Sequence, residues 1–222
     1  CVLRHVRGIV EGAPAVVSQQ NTHPFRFADA HVALAHNGHL REFARMRYDL
    51  VQHVRPELAR HISGRTDSEW IYALVLSQLD DPHGEPEARE LGNAVASALR
   101  LLREARTRHG IDTSSPVNLF LVTGRSLLAT RFSFDYGWYP DDDALLETDL
   151  AYCSLWYPVG GEYARQNGGS AMTRSDGVRS LLIASEPLTL DTSTWLEVPE
   201  YSMITATIGP DGLDYETRDL DV

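Results

Sequence analysis

The spacing of hydrophobic positions changes period along the chain. Residues 2–6 form a short β-branched run, and residues 31–35 alternate and then turn apolar. Both read as strands, expected to pair with each other. Between them, residues 8–14 read as a glycine-containing loop, residues 16–20 as extended chain, and residues 21–25 as a turn around Pro24. Residues 39–48 predict a basic loop with one helical turn, and residues 49–61 a helix stopped at Ser63-Gly64. From Asp67 to about Leu79, Trp70, Ala73, Leu74 and Ser77 follow helical spacing, with Ile71, Val75 and Leu79 widening the apolar face. Residues 87–108 predict a long amphipathic helix with Leu91, Val95, Ala98, Leu99 and Leu102 on one face and His109-Gly110 as its stop. The period then shortens. Residues 117–123 and 126–131, around Gly124-Arg125, predict a hairpin, and residues 181–184 and 203–208 further strands. Residues 140–149 are acidic and loop-like. Residues 160–176, rich in Gly, Ser and Asn, predict a mobile surface loop. Strands, two helices and more strands suit an α+β domain whose helices cover sheet faces. The expectation is a single domain over residues 1–222.

The run Ala33-Leu34-Ala35-His36-Asn37-Gly38 carries the first chemical suggestion. An apolar strand ending in Asn-Gly is a strong hairpin signal. The same pair can also form an oxyanion hole, because a carboxamide and a glycine N–H can aim two donors at one point. His36 is expected to pack or hydrogen-bond locally rather than to transfer protons.

Composition narrows the classes. A 222-residue chain with 43% hydrophobic and 23% charged residues is that of an ordinary globular protein. A formal net charge of -11 argues against nucleic acid or an anionic membrane as partner. No apolar run reaches bilayer-spanning length and no signal-peptide pattern is visible. Two cysteines, Cys1 and Cys153, supply no disulfide framework, so a reducing cytoplasm is the expected setting. The nine histidines show no metal-ligand spacing. No cofactor or metal is expected.

Four segments in order carry a more specific signal. They are His5-Val6-Arg7, Asn21-Thr22-His23-Pro24-Phe25, His36-Asn37-Gly38 and Gly64-Arg65-Thr66-Asp67-Ser68-Glu69. Together with Cys1 at position 1 they resemble the glutaminase domain of class II glutamine amidotransferases, which are N-terminal-nucleophile hydrolases. The resemblance is closest to small stand-alone members such as the gamma-glutamyl amidohydrolase of ergothioneine synthesis. It implies an αββα sandwich and a thiol amidohydrolase acting on glutamine or a γ-glutamyl conjugate through a γ-glutamyl thioester. It implies that Cys1 is the nucleophile and that Asn37 and Gly38 form the oxyanion hole. Arg7 would take the substrate α-carboxylate in bidentate fashion, and Asp67 the α-ammonium. The 21–25 segment would be scaffold. Thr66 is also a natural helix N-cap, with Glu69 its capping-box partner.

One feature departs from the family. There, a segment of several strands separates the cysteine from the His-x-Arg strand. Here Cys1 lies six positions before Arg7, roughly 20 Å on an extended run and too far for one small substrate to touch both. The expectation is that the intervening segment is missing from the sequence as given. The alternative is a catalytically inactive binding or regulatory module on the same fold. A papain-like cysteine protease is a poorer match, because Cys153 does not open a helix. The partner expected is a small γ-glutamyl molecule. Assembly with a second copy or a partner subunit is left open.

Overall fold

The two hydrophobic periods meet across one antiparallel sheet. The computed structural model describes residues 1–5, 19–135, 154–166, 169–173, 178–189, 192–210 and 212–222. Cys153 and Arg7 lie outside these residues, as does the acidic run 140–149. In chain order the elements begin with β1 (Ala33–Gly38), α1 (Phe43–Leu50), α2 (Pro56–Ala59), α3 (Asp67–Ser77) and α4 (Ala88–Arg108). Then come β2 (Ser115–Val122), β3 (Ser126–Arg131) and β4 (Ser133–Phe134). Short strands follow: β5 (Trp156–Tyr157), β6 (Val159–Gly160), β7 (Tyr163–Gln166), β8 (Gly169–Met172), β9 (Ser180–Leu181) and β10 (Leu196–Glu197). Two long strands, β11 (Ser202–Gly209) and β12 (Gly212–Asp219), close the chain. The main sheet runs β1-β2-β3-β11-β12, with β4 also on β2.

Alternation along these strands sends side chains to two faces. Leu34, Leu119, Leu121, Leu128 and Met203 join Leu74, Val75, Leu91, Val95, Leu99 and Leu102 of α3 and α4 in the larger core. Ala129 and Ile204 face the other way and bury Leu155 and Val198, with Phe120, Tyr157 and Ile183 packed around them. The short pairs β5–β10 and β6–β9 lie on that side. The result is the α+β sandwich: a helical layer, the main sheet and a second β layer among the described residues.

The structure differs from the local pattern in four places. Residues 2–5 form no strand, and Val2 is 79% exposed. The strand beside β1 is β2, in the register Ala33↔Val122 to Gly38↔Val117. Residues 39–61 hold α1 and then α2 rather than a loop followed by one helix. Pro56 explains the break: it starts α2 and biases Arg55 to its extended ψ of 137°, so no helix can run through. The Gly-rich region around residue 165 forms the β7–β8 hairpin. Finally, β12 was not expected, because Gly-Leu-Asp-Tyr-Glu-Thr-Arg-Asp is too polar to read as a strand. It is a sheet edge, with mostly exposed side chains.

Candidate active site

β1 does not turn into a hairpin at Asn37-Gly38. It ends there, and the chain leaves for α1. His39 N–H donates to the Pro116 carbonyl at 3.0 Å. His39 and Pro116 are therefore a hydrogen-bonded antiparallel pair, and such pairs alternate with non-bonded ones. Gly38, opposite Val117, falls on the non-bonded position. Its N–H consequently turns away from β2, toward the outer edge of β1. Gly38 has φ +139°, and a Cβ there would lie 2.0 Å from the Pro116 carbonyl oxygen. No other residue fits.

Asn37 is half-buried and its carboxamide makes no hydrogen bond to a described residue. It shares a face with Asn118, its partner across the ladder. Asn118 is fully engaged: its amide donates to Ser154 O and its oxygen accepts from Phe132 N–H. Of two asparagines side by side, one is locked into the fold and the other is left with donors to spend elsewhere.

Asp67 opens α3 and reaches back to the same loop. Its Oδ2 accepts from Leu40 N–H at 2.6 Å and lies 3.5 Å from His39 Nδ1. Its Oδ1 accepts from Ser68 N–H at 2.8 Å. The carboxylate side chain is 11% exposed while His39 is 71% exposed. Burial raises the Asp67 pKa, but His39, His36 and the Leu40 N–H together outweigh it and hold the carboxyl well below the usual range. His36, on the opposite face of β1 from Asn37, is buried, and its Nδ1 sits 3.0 Å from Ser68 Oγ. Burial dominates there and lowers its pKa, against the pull of Asp67 and the Pro116 carbonyl. It is a neutral ring in the fold.

Thr66 is the N-cap of α3, its hydroxyl accepting from Glu69 N–H at 3.3 Å. Glu69 does not return the bond to Thr66. Its buried carboxylate instead accepts from Ser63 N–H at 2.9 Å and Gly64 N–H at 2.6 Å, tying down the loop before the helix. The 21–25 segment is bound to β1 through paired backbone bonds between Phe25 and Leu34, and contains a cis His23-Pro24 peptide.

The structure thus brings together Asn37, Gly38 and Asp67, and adds His39 and Pro116, which sequence reasoning did not select, and Ser68, which it quoted within the 64–69 segment without a role. His39 follows Gly38 directly and could have been found; nothing local marks Pro116. Cys1 is placed elsewhere. Its exposed thiol lies 3.7 Å from Ser126 O, at the β2–β3 turn. The Gly38 end of the sheet is five β2 residues away, about 17 Å. His5 packs against His23 in a tilted arrangement with ring centroids 4.3 Å apart. Arg7 is outside the described residues.

A model of the family "glutamine amidotransferases class-II" matches residues 1–134. A probable glutamine amidotransferase of Saccharomyces cerevisiae, DUG3, is 28% identical over 220 residues, covering 92% of this chain. The chain spans 56% of that relative's length. Among solved structures, a glutamine aminotransferase class-II domain protein from Silicibacter pomeroyi superposes with a TM-score of 0.60 at 22% identity, over 92% of this chain and 74% of that one. A Pseudomonas aeruginosa PA01 protein described as a predicted glutamine amidotransferase gives a TM-score of 0.50 at 21% identity, over 84% and 62% of the two chains. These two likenesses are of fold.

Proposed function

Because this chain belongs to the class-II glutamine amidotransferases, we propose that it cleaves the γ-amide of glutamine or of a γ-glutamyl conjugate by acyl transfer to a thiol. One observation carries the reading. The Gly38 N–H turned off the ladder and the Asn37 carboxamide, which bonds to no described residue, stand next to each other at the end of one strand. Two preorganised donors of this kind stabilise the oxyanion that forms when sulfur attacks an amide carbon. The amine then leaves with a proton, and water hydrolyses the thioester. Asp67 is ionised and held beside this turn, where it can accept the α-ammonium through its remaining lone pairs. Arg7 is proposed for the α-carboxylate and Cys1 for the thiol. γ-Glutamyl conjugates of small amines or peptides, including those met in ergothioneine synthesis, are the proposed substrates.

A second reading is favoured by the position of Cys1. With its sulfur at the β2–β3 turn, Cys1 is away from Asn37, and the described residues around Asn37 hold groups that bind and no thiol. A γ-glutamyl-binding module without hydrolysis has that composition.

One experiment separates the two. 6-Diazo-5-oxo-norleucine is a glutamine-shaped electrophile that alkylates a thiol seated at the γ-carbon. Hydrolysis of γ-glutamyl-p-nitroanilide with labelling of Cys1 in the peptide map is the expected result. Binding of glutamine with neither hydrolysis nor label establishes the module instead. Absence of all three overturns both.

A further inference from the structure

We propose that the groove at the start of α4 binds a small zwitterion, an amino acid or short peptide with a free ammonium and a free carboxylate. The proposal is independent of the activity argued above and concerns the far end of the main sheet.

α4 covers most of the helix-facing side of this sheet but not its last rows. On that side, β3 reads Leu128 and then Ser126, and β11 reads Met203, then Thr205 and Thr207. The series changes from apolar to hydroxyl where α4 begins. Directly opposite residues share a face. Asp214 therefore stands beside Thr207, and Glu216 beside Thr205, on the same side. Between this floor and residues 85–89 lies an opening of about 710 Å³. That volume is in the range of small-ligand sites.

The unsatisfied chemistry of the opening says what it takes. Ser126 and Thr205 line it and are each only 3% exposed, yet neither hydroxyl has a hydrogen bond to a described residue. Both hydroxyls open onto the groove, where a ligand can meet them. The charged side chains around them are also unpaired among the described residues. Glu85, Glu87, Asp214 and Glu216 share the lining with Arg89 and Arg125, and none of the six makes an ion pair with a described residue. Among the described residues no three His, Cys, Asp or Glu side chains converge as a metal site. Finally, the 21-residue α4 starts here with no side-chain cap on its first N–H groups, leaving the positive end of its dipole open beside Arg89.

A simple anion would meet four carboxylates, and a simple cation two guanidiniums and a helix N-terminus. A molecule carrying both charges is served by both. Its carboxylate is placed at the start of α4 with Arg89 and its ammonium against Asp214 and Glu216 on the edge strand. The hydroxyls of Ser126 and Thr205 supply the polar floor between them.

The probe is glycylglycine, with N-acetylglycylglycine and glycylglycinamide as controls that each lack one charge. Titration calorimetry is run on protein carrying Asp67→Asn, which removes the ammonium seat of the candidate active site from the readout. The dipeptide is expected to bind with a Kd of about 1 mM or tighter, and each control about tenfold more weakly. Arg89→Ala should erase the preference for the dipeptide over its amide, and Glu216→Gln the preference over the acetylated form. The near-isosteric Thr205→Val should weaken the dipeptide about fivefold. Ser126→Ala is the second variant, should Thr205→Val not fold. No binding up to roughly 50 mM, equal binding of all three probes, or unchanged affinity in the hydroxyl variants would overturn the proposal.

Discussion

Gly38 and Asn37 are neighbours whose side chains answer to different demands. At Gly38 the demand is steric: the Pro116 carbonyl occupies the space of a Cβ and the backbone is at φ +139°. Gly38→Ala should therefore displace the β1–β2 pairing at this end, lower stability by about 2 kcal/mol or more, and abolish turnover. At Asn37 the carboxamide makes no hydrogen bond to a described residue. Asn37→Ala should leave the urea midpoint within about 0.5 kcal/mol of wild type while kcat falls roughly 100- to 1000-fold. Parallel losses of stability and activity in Asn37→Ala would remove it from the oxyanion hole. Asp67 lies between these cases, since it both holds Leu40 N–H and is proposed to hold substrate. Asp67→Asn should raise KM by about tenfold or more for substrates with a free α-amine and leave N-acylated analogues unaffected. Equal losses on both would return Asp67 to a purely structural role.

Elements hold the site through a few buried polar joints. Arg106, on the last turn of α4, is 1% exposed. It donates to Ser115 Oγ at 2.9 Å, to Thr113 O and to Asp135 Oδ2 at 2.9 Å. Ser115 Oγ in turn accepts from Arg41 N–H at 3.1 Å, just after the loop that carries Gly38 and Leu40. One guanidinium thus ties α4, the start of β2 and the site loop together. Arg106→Met is expected to cost about 2 kcal/mol, because it removes three charge-assisted bonds at a buried joint, although Asp135 keeps Arg103 and Ser115 keeps Arg41 N–H. It should also raise amide exchange at residues 39–41 above that of other loops. Exchange that rises uniformly would show α4 loosening without a specific link to the loop. The helix boundaries illustrate how such elements are encoded. α3 and α4 follow from apolar spacing and caps within a few residues. The split of residues 39–61 into α1 and α2 follows from Pro56, a single residue whose missing N–H outweighs the surrounding periodicity.

For the whole molecule, stability should depend on pH through two groups at the site. His36 is held neutral by burial, below its ordinary value of 6.5. In the unfolded chain it takes a proton near that value, so below about pH 6.5 the unfolded state binds more protons and stability is lost as pH is lowered, by at most ~1.4 kcal/mol per unit. Asp67 has the opposite chemistry at lower pH. Its folded pKa lies below that of the unfolded carboxyl. Its contribution is whole above about pH 4 and is lost as pH falls through the folded value. Urea midpoints should therefore decline from pH 7 to pH 5, and His36→Gln should flatten that decline while Asp67→Asn does not. An unchanged slope in His36→Gln would mean that other groups carry it.

How far the sequence reaches depends on the range of the interaction that decides each feature. The end of β1 at Asn37-Gly38 and the Thr66 cap of α3 were legible because each is written in adjacent residues. The two long helices were legible because burial of one face imposes a short repeat. The layered α+β arrangement followed from the order of the elements and was realised by packing on both sides of the sheet. Features decided by distant contacts were not legible. The partner of β1 is β2, some eighty residues on, and no local pattern distinguishes it from residues 2–6. The strand β12 is polar because it is an edge, and being an edge is a property of the sheet. That Gly38 must be glycine depends on a carbonyl at position 116, and only the β1–β2 register turns its N–H outward. Likewise the contact of the Cys1 thiol with Ser126 O joins residues 125 positions apart, which no motif records.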